Sequence, residues 1–334
     1  MTLEKNTLNI RYIPLLDCVA ILWADRKGYF SQQGLAIHLI REASWASVRD
    51  RLNYGFLDAA HCLSAMLSAA ALSPDPSHVR LQTPLVLSIN RAFISLRQDL
   101  CWQYGIQAQQ SEQYNAQQLV TAIEQGQAIH LAHVYKDSIH HYCLKEWLAL
   151  ADLNIAKNSA MLTSPPPFMV KGISEQIFDG FCVSEPWNIQ AELEGHSFIV
   201  AQSQNIIPPV ADKVLAISED WATAHPHTLN ALITALQQAQ EELSQLQDLS
   251  EVWQMLREYD IIQFDCSPSK HVLAYHKISQ IIQQFVQPSA IPNPADFYWI
   301  LAQMQKWQDL SLNQTQIDAI VRGCIYQSSC ATTL

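Results

Sequence analysis

Three side chains that can donate hydrogen bonds lie near the predicted ends of helices or strands. Trp45 follows Ser44 at a predicted helix start, where its indole N–H and free backbone N–H groups can both donate. His140 begins a helix that Asp137-Ser138 can cap, and Lys213 precedes an apolar strand. These donors suit a small anion. Each also has an ordinary structural alternative: a Trp that anchors its helix, a structural His and a solvated Lys.

The histidines and cysteines do not form a metal-ligand pattern. His133 and His141 lie near His140 in the sequence, but His140 and His141 point in different directions on a helix. No zinc-ligand spacing accompanies them. The eight cysteines are scattered without a Cys-x-x-Cys pair, and most lie in apolar segments. This distribution favours unpaired thiols in a reducing compartment over a disulfide framework.

The charge balance excludes some classes of partner. In 334 residues, 20 lysines and arginines against 31 aspartates and glutamates give a net charge of −11. An acidic surface disfavours direct contact with nucleic acid or anionic lipid.

No apolar run reaches the roughly 18 residues that suggest a membrane-spanning helix. The polar segment from Met1 to Thr7 lacks the features of a secretory signal. We therefore expect a cytoplasmic protein if Met1 is the native start, and a periplasmic one if the sequence is a trimmed mature form.

Strand-like runs alternate with helical runs, which predicts α/β lobes with largely parallel sheets. From Lys213 onward the pattern becomes mainly helical. The predicted strands are Leu8–Ile13, Leu35–Ile40, Phe56–His61, Ile129–Val134, Gly180–Val183 and Ser197–Val200. The predicted helices are Asp17–Asp25, Ser47–Tyr54, Leu63–Leu72, Ser138–Leu150, Ile173–Ile177, Thr228–Leu246 and His271–Phe285, with a further helix starting at Ser218–Asp220.

Four segments carry landmark residues in a fixed order along the chain. They begin at Arg41 (REASWASVRD), Ser138 (SIHHY), Phe181 (FCVSEPWN) and Asp212 (DKVLAI). In this order they resemble the NrtA/CmpA-type family of nitrate- and bicarbonate-binding proteins, and within it the cytoplasmic nitrate sensors of the NasS type. The resemblance covers the chain from the second predicted strand to about Trp221.

The resemblance implies a type II periplasmic-binding-protein fold, with two α/β lobes, a ligand cleft and a hinge crossed twice. Residues 1–92 would begin lobe 1, and residues 97–200 would form lobe 2. Residues 205–327 would return to lobe 1, and residues 328–334 would be a loose tail. Closure around a ligand is the motion that this fold supplies.

The resemblance also implies an anion site made of Trp45, Arg91, His140, Ser184 and Lys213. A planar anion such as nitrate has three acceptor oxygens and no donor, so a buried site must supply donors and positive charge. Lys213 would balance the ligand's charge. His140 would donate as neutral imidazole, or as imidazolium if the anion raises its pKa. No catalytic residue, cofactor or metal is predicted.

Two of these positions depart from the family's pattern. Arg91 stands where a neutral Gln is expected, and Ser184 stands where a Gly often precedes Glu-Pro-Trp. Arg91 would add a planar, bidentate donor, so nitrite or another oxyanion becomes an alternative to nitrate. Arg91 could equally pair with Glu185. Bicarbonate-binding relatives combine carboxylates with a metal. The retained Lys213 and the lack of an obvious acidic cluster disfavour that branch.

Three functions remain open from the sequence. The first is a cytoplasmic nitrate or nitrite sensor that holds a NasT-like antiterminator partner and releases it when the anion binds. The second is the substrate-binding subunit of a nitrate-type ABC transporter, which would work with that transporter's membrane subunits. The third, an enzyme of the thiamine-pyrimidine type, is disfavoured because no nucleophile–base pair or phosphate loop is present.

Overall fold

Two five-stranded sheets organise the described part of the chain, which comprises residues 2–73, 79–264, 271–285 and 289–327 of a computed structural model. The sheet of lobe 1 has the order β2-β1-β3-β10-β4, and the sheet of lobe 2 has the order β7-β6-β8-β5-β9. The strands are β1 Thr7–Tyr12, β2 Ala36–Arg41, β3 Ala59–Leu63, β4 Leu81–Ile89, β5 Ala92–Arg97, β6 Leu131–His133, β7 Met161–Thr163, β8 Gly180–Ser184, β9 Ser197–Gln202 and β10 Ala211–Ser218.

Helices cover both sheets and dominate the last third of the chain. A short 3₁₀ helix, Leu16–Cys18, precedes the first α-helix. The α-helices are α1 Val19–Arg26, α2 Tyr29–Gln32, α3 Trp45–Asn53, α4 Ser64–Ala71, α5 Gln98–Tyr104, α6 Glu112–Glu124, α7 Ile139–Ala149, α8 Leu153–Asn158, α9 Met169–Ser174, α10 Trp187–Leu193, α11 Glu219–Ala224, α12 Pro226–Gln245, α13 Ser250–Glu258, α14 Val272–Gln283, α15 Pro294–Trp307 and α16 Gln314–Cys324.

In each sheet four of the five strands run in the same direction, which agrees with the expectation of largely parallel sheets, and one strand runs against them. Strand β1 is parallel to β2 and β3, and β6 is parallel to β7 and β8. Strand β10 is antiparallel to β3 and β4, and β5 is antiparallel to β8 and β9. Strands β5 and β10 are the two that follow a crossing between the lobes. Hydrophobic periodicity carries no information on strand direction, so it could not identify them.

The two crossings run side by side and are joined through Asn90 and Ser203. The backbone N–H of Asn90 donates to the Val210 carbonyl (2.9 Å), and its side-chain Oδ1 accepts from the Val210 N–H (2.8 Å). Ser203 Oγ accepts from the Ala92 N–H (3.1 Å) and lies 3.4 Å from Asn90 Nδ2. These bonds are buried and connect β4–β5 with β9–β10. They form the hinge between the lobes.

Serine caps fix the starts of the two helices that face the boundary between the lobes. Ser44 Oγ accepts from the Ser47 N–H (3.3 Å) at the start of α3, and Ser138 Oγ accepts from the His141 N–H (3.1 Å) at the start of α7. A cap of this kind satisfies a backbone donor that the helix itself leaves free. The predicted cap at Ser138 is confirmed.

Other predictions of local structure have mixed outcomes. The helix starting at Ser218 and the long helix after it are confirmed as α11 and α12. The helix expected over Ile173–Ile177 is wrong, because α9 ends at Ser174 and Gln176 has a positive φ of 57°.

Six cysteines are free and buried: Cys18, Cys62, Cys101, Cys143, Cys182 and Cys324. Cys266, Cys330 and the predicted tail lie outside the described residues. Within the described ranges, no helix combines the length and apolarity needed to cross a bilayer.

Replacing Asn90 with Ala tests the hinge. The Asn90→Ala variant loses the acceptor for the buried Val210 N–H, and an unsatisfied buried donor costs about 1–3 kcal/mol. We expect the free energy of unfolding, measured in urea, to fall by this amount. The control is Asn230→Ala on the exposed face of α12, where the change should stay within about 0.5 kcal/mol. Equal stability of the two variants would contradict the structural role of Asn90.

Candidate functional site

Four of the five predicted site residues meet in one buried cluster between the lobes. Trp45 is the first residue of α3, His140 is the second residue of α7, Ser184 ends β8 and Lys213 lies in β10. None of the four is more than 3% exposed. Trp45 lies after strand β2, His140 lies after β6, and Ser184 is the last residue of β8. All three are therefore near the carboxyl ends of strands, where α/β sheets usually bind ligands.

The Lys213 ammonium is at the centre of this cluster. Its Nζ lies 2.7 Å from Asp212 Oδ2, 3.0 Å from Asp17 Oδ2 and 3.1 Å from Ser184 Oγ. Ser184 Oγ and Asp212 Oδ2 accept hydrogen bonds from the ammonium, and Asp17 adds an ion pair. The neighbouring carboxylates raise the pKa of Lys213, although its burial opposes that shift. Lys213 is therefore a charged group that the protein already holds by two hydrogen bonds and two carboxylates.

Asp17 lies in the 3₁₀ helix after β1 and pairs with a histidine as well as with Lys213. His61 Nε2 is 3.0 Å from Asp17 Oδ1, although the two groups are not aligned for a well-formed hydrogen bond. The Ile13 N–H donates to His61 Nδ1 over 3.4 Å, so Nδ1 is an acceptor and the ring proton is on Nε2. Lys213 lowers the pKa of Asp17 well below its usual range, against the effect of burial.

Ser184 connects His140 to the carboxylate of Asp212. His140 Nε2 is 3.0 Å from Ser184 Oγ, which in turn lies 3.4 Å from Asp212 Oδ2. The direct separation between His140 Nε2 and Asp212 Oδ2 is 3.7 Å. Burial lowers the pKa of His140 to about 4, and the Asp212 carboxylate opposes that shift only in part. His140 is therefore neutral near pH 7 in this arrangement.

Five buried polar atoms of the cluster have no hydrogen-bond partner among the described residues. Two of them, Asp17 Oδ1 and His61 Nε2, lie 3.0 Å apart as an ion pair, and the other three are Trp45 Nε1, His140 Nδ1 and Asp212 Oδ1. The Trp45 ring also lies 5.8 Å from Lys213 Nζ and 5.5 Å from the His61 ring, measured to the ring centroids. Buried polar atoms without partners are uncommon in proteins, and each needs an explanation. The indole N–H and the imidazole nitrogen are suited to bind the acceptor oxygens of a small ligand.

Arg91, the fifth predicted residue, makes no contact with the other four, although its neighbour Ala92 pairs with Ser184 between β5 and β8. Arg91 occupies the hinge between β4 and β5, is half-buried, and makes no hydrogen bond or ion pair to the cluster among the described residues. Burial lowers the pKa of Arg91. The alternative pairing with Glu185 is not observed either, because the cation nearest to Glu185 is Lys277 Nζ at 3.9 Å. The structure therefore gives Arg91 no contact that assigns it to ligand binding.

The expected lack of an acidic cluster is also wrong. Asp17 and Asp212 both contact Lys213, and sequence reasoning identified neither as part of the site. Asp17 lies in an otherwise apolar run from Ile13 to Leu22, which is the one signal that could have marked it as a buried functional charge. Even so, the described residues contain no group of three or more His, Cys, Asp or Glu side chains arranged to hold a metal.

Glu185 and Trp187 connect the lobes beside this cluster. The Leu16 N–H donates to the Glu185 carbonyl (2.9 Å), and Trp187 Nε1 donates to the Pro14 carbonyl (3.2 Å). Both contacts join the turn after β8 in lobe 2 to the segment after β1 in lobe 1. The backbone that carries Asp17 is therefore held against lobe 2 by hydrogen bonds that do not involve a ligand.

Comparison with known proteins agrees with this architecture. A model of the NMT1-like family matches residues 1–257. The bicarbonate transport ATP-binding protein CmpC of Synechocystis sp. is 30% identical over 96% of this chain and 49% of its own length. The nitrate/nitrite binding protein NrtA of the same organism is 24% identical over 95% of this chain and 74% of its own. The chain thus spans about half the length of CmpC, the curated relative with the higher identity.

A solved structure shows the same fold. The periplasmic nitrate-binding protein NrtA from Synechocystis superposes with a TM-score of 0.83 at 21% identity, over 97% of this chain and 87% of that one. The expected periplasmic-binding-protein fold with two α/β lobes is confirmed, and so is the resemblance to the NrtA/CmpA-type family. The roles of the individual site residues remain predictions.

Replacing Lys213 with Met tests the buried ion pairs. The Lys213→Met variant leaves the carboxylates of Asp17 and Asp212 without their cation, which costs about 3–5 kcal/mol in a buried site. We expect urea unfolding at neutral pH to show a loss of this size, and the double variant with Asp17→Asn to recover part of it. Lys157→Met, on the surface of α8, serves as the control. A Lys213→Met protein with native stability would rule out the ion pairs.

Replacing Glu185 with Gln tests a buried carboxyl group. Burial raises the pKa of Glu185 from 4.5 to about 7, while Lys277 opposes the shift. Between these two values the folded protein binds a proton that the unfolded chain has released, so the contribution of Glu185 to stability falls as pH rises. Glu185→Gln should therefore gain stability relative to the native protein by up to about 3 kcal/mol from acidic to neutral pH. Urea unfolding across that range measures the difference, and exposed Glu241→Gln should show no such trend.

Proposed function

Because this chain belongs to the NMT1-like family, we propose that it binds a small oxyanion between its two lobes as the ligand-binding part of an import system. The ligand would be nitrate, nitrite or bicarbonate. The observation that carries the proposal is the meeting of Trp45, His140, Ser184 and Lys213 in one buried cluster. Two lobes contribute to it, so a ligand bound there would hold the lobes together.

Two unpaired nitrogen atoms of the cluster residues support an anion as the ligand. Trp45 Nε1 and His140 Nδ1 are buried and have no partner among the described residues. A trigonal oxyanion offers acceptor oxygens to both, and binding would satisfy two groups whose burial is otherwise costly. No step of catalysis is part of this proposal, because binding alone accounts for the arrangement of these groups.

The relatives favour transport over sensing. CmpC is described as a bicarbonate transport protein and NrtA as a nitrate/nitrite binding protein, and the chain aligns with both over most of its length. CmpC is also an ATP-binding protein, but no glycine in this chain is followed by lysine, so the phosphate-loop motif Gly-x-x-x-x-Gly-Lys is absent. The proposal therefore does not extend to nucleotide binding. The cytoplasmic sensor with a NasT-like partner remains a prediction from the sequence.

Calorimetric titration tests the proposal directly. The purified chain is titrated with nitrate, nitrite and bicarbonate, and with an alkanesulfonate as a bulkier anion. We expect saturable binding of at least one of the three small oxyanions and weaker binding of the sulfonate. An absence of binding for all three small oxyanions would contradict the proposed function.

Trp45→Phe locates the binding in this cluster. The variant keeps an aromatic ring but removes the Nε1 donor, and losing one hydrogen bond to an anion should weaken binding about tenfold or more. Trp102→Phe is the matched control, because Trp102 is an exposed residue of α5. If both variants bind like the native protein, the ligand does not contact Trp45.

A further inference from the structure

The buried cluster carries one more negative charge than positive charge. Asp17 and Asp212 contribute two carboxylates, and Lys213 contributes one ammonium. His61 Nδ1 accepts the Ile13 N–H, which is the arrangement of the uncharged imidazole tautomer with its proton on Nε2. Neutral His140 adds nothing, so the formal charge of these five groups is one negative unit.

An oxyanion that enters this cluster alone would increase the charge imbalance. The ligand would add a second uncompensated negative charge to a buried site, and such charges are expensive unless they are paired. Lys213 does not relieve the imbalance, because its single positive charge is already shared by the two carboxylates that hold it, and it also donates to Ser184. Anion binding at this place therefore requires a further positive charge.

His140 is placed to supply that charge. If both ring nitrogens are protonated, Nε2–H can donate to Ser184 Oγ over 3.0 Å, and the Ser184 hydroxyl can donate to Asp212 Oδ2 over 3.4 Å. Ser184 then accepts from Lys213 and His140 and donates to Asp212, which uses its full hydrogen-bonding capacity. Nδ1–H, which has no partner among the described residues, remains available for an oxygen of the anion.

We propose that each oxyanion binds together with one proton and that His140 carries this proton. The inference rests on the proposed function, since it concerns the same site. The proton comes from solvent, and no covalent bond of the ligand is formed or broken. The species that the cluster accepts is thus a neutral pair, anion plus proton, added to a site whose own charge stays unchanged.

The groups that surround His140 define how its protonation responds to the ligand. Asp212 and Lys213 face it from β10, Asp17 faces it from the 3₁₀ helix, and His133 faces it from β6. The two carboxylates raise the pKa of His140, while burial, Lys213 and His133 lower it, with a net value of about 4. A bound anion adds a third negative charge and shifts the pKa upward. Between the ligand-free pKa and the higher pKa in the complex, proton uptake therefore accompanies binding.

The sign of the pH dependence follows from linkage. The complex binds one more proton than the free protein between the lower pKa of His140 without ligand and its higher pKa with ligand. Affinity for the anion should therefore fall roughly tenfold for each unit of rising pH in that interval. Above the higher value, affinity should become independent of pH.

Nitrate is the best probe, because it is the anion of a strong acid and does not itself take up a proton near neutral pH. Titrations in imidazole, Bis-Tris and Tris buffers, which avoid sulfonate anions, give the number of protons taken up from the dependence of the measured heat on the buffer. We expect about one proton per nitrate. Nitrite or bicarbonate replaces nitrate if either of them is the anion that binds.

Two variants test the assignment to His140. The His140→Gln variant lacks the imidazole that carries the proton. Its nitrate binding should therefore be weaker at acidic pH, and proton uptake on binding should vanish. In Asp17→Asn the cluster loses one carboxylate, so nitrate should bind at least about tenfold more tightly at neutral pH with less uptake. Asp220→Asn, which makes the same change of net charge on the exposed side of α11, should behave like the native protein. Circular dichroism confirms that each variant is folded.

The outcomes separate this inference from the proposed function. Binding with no proton uptake and no dependence on pH would overturn the inference and leave the proposed function intact. Uptake that persists in His140→Gln would overturn the assignment to His140. A complete lack of oxyanion binding, at acidic as well as neutral pH, would overturn the proposed function itself.

Discussion

The arrangement of the lobes depends on one buried interaction, the pairing of the Lys213 ammonium with two carboxylates and a hydroxyl. Lys213 lies on β10, the strand that returns from lobe 2, while Asp17 follows β1 of lobe 1 and Ser184 ends β8 of lobe 2. A buried ammonium is costly unless its acceptors are all in place. The register of β10 between β3 and β4 and the approach of β8 therefore have to be correct together. Such an interaction contributes more to the uniqueness of the arrangement than to its stability.

The hinge positions the strands that carry this pairing. Asn90 and Ser203 tie the two crossings together through buried hydrogen bonds, so β5 and β10 enter their sheets from neighbouring positions. The contacts of Trp187 with Pro14 and of Leu16 with Glu185 then hold the turn after β8 against the turn after β1. Together these contacts bring the carboxyl ends of the parallel strands in both sheets to one place, where the serine caps of α3 and α7 present Trp45 and His140.

The sequence predicts the parts of this site that depend on local chemistry and on the family's landmarks. The cap at Ser138, the start at Ser218 and the long helix α12 follow from side-chain type and helical spacing. Asp17 was not predicted, because spacing along the chain does not reveal which carboxylate meets an ammonium from another strand. The position of Arg91 depends on the backbone path through the hinge, and the antiparallel direction of β10 depends on the second crossing. Neither the position of Arg91 nor the direction of β10 is encoded in the residues next to it in the sequence.

The two histidines of the cluster differ in one hydrogen bond, and this difference determines which can respond to a ligand. His61 Nδ1 accepts a backbone N–H from Ile13, and this bond fixes its tautomer. His140 Nδ1 has no partner among the described residues, while its Nε2 contacts a hydroxyl that can donate or accept. His61 therefore keeps its Nε2 toward Asp17 Oδ1, at 3.0 Å. His140 can change its charge without losing a hydrogen bond, because Ser184 can redirect its own proton toward Asp212. Ser184 thus gives the site a hydroxyl that couples the imidazole to the carboxylate.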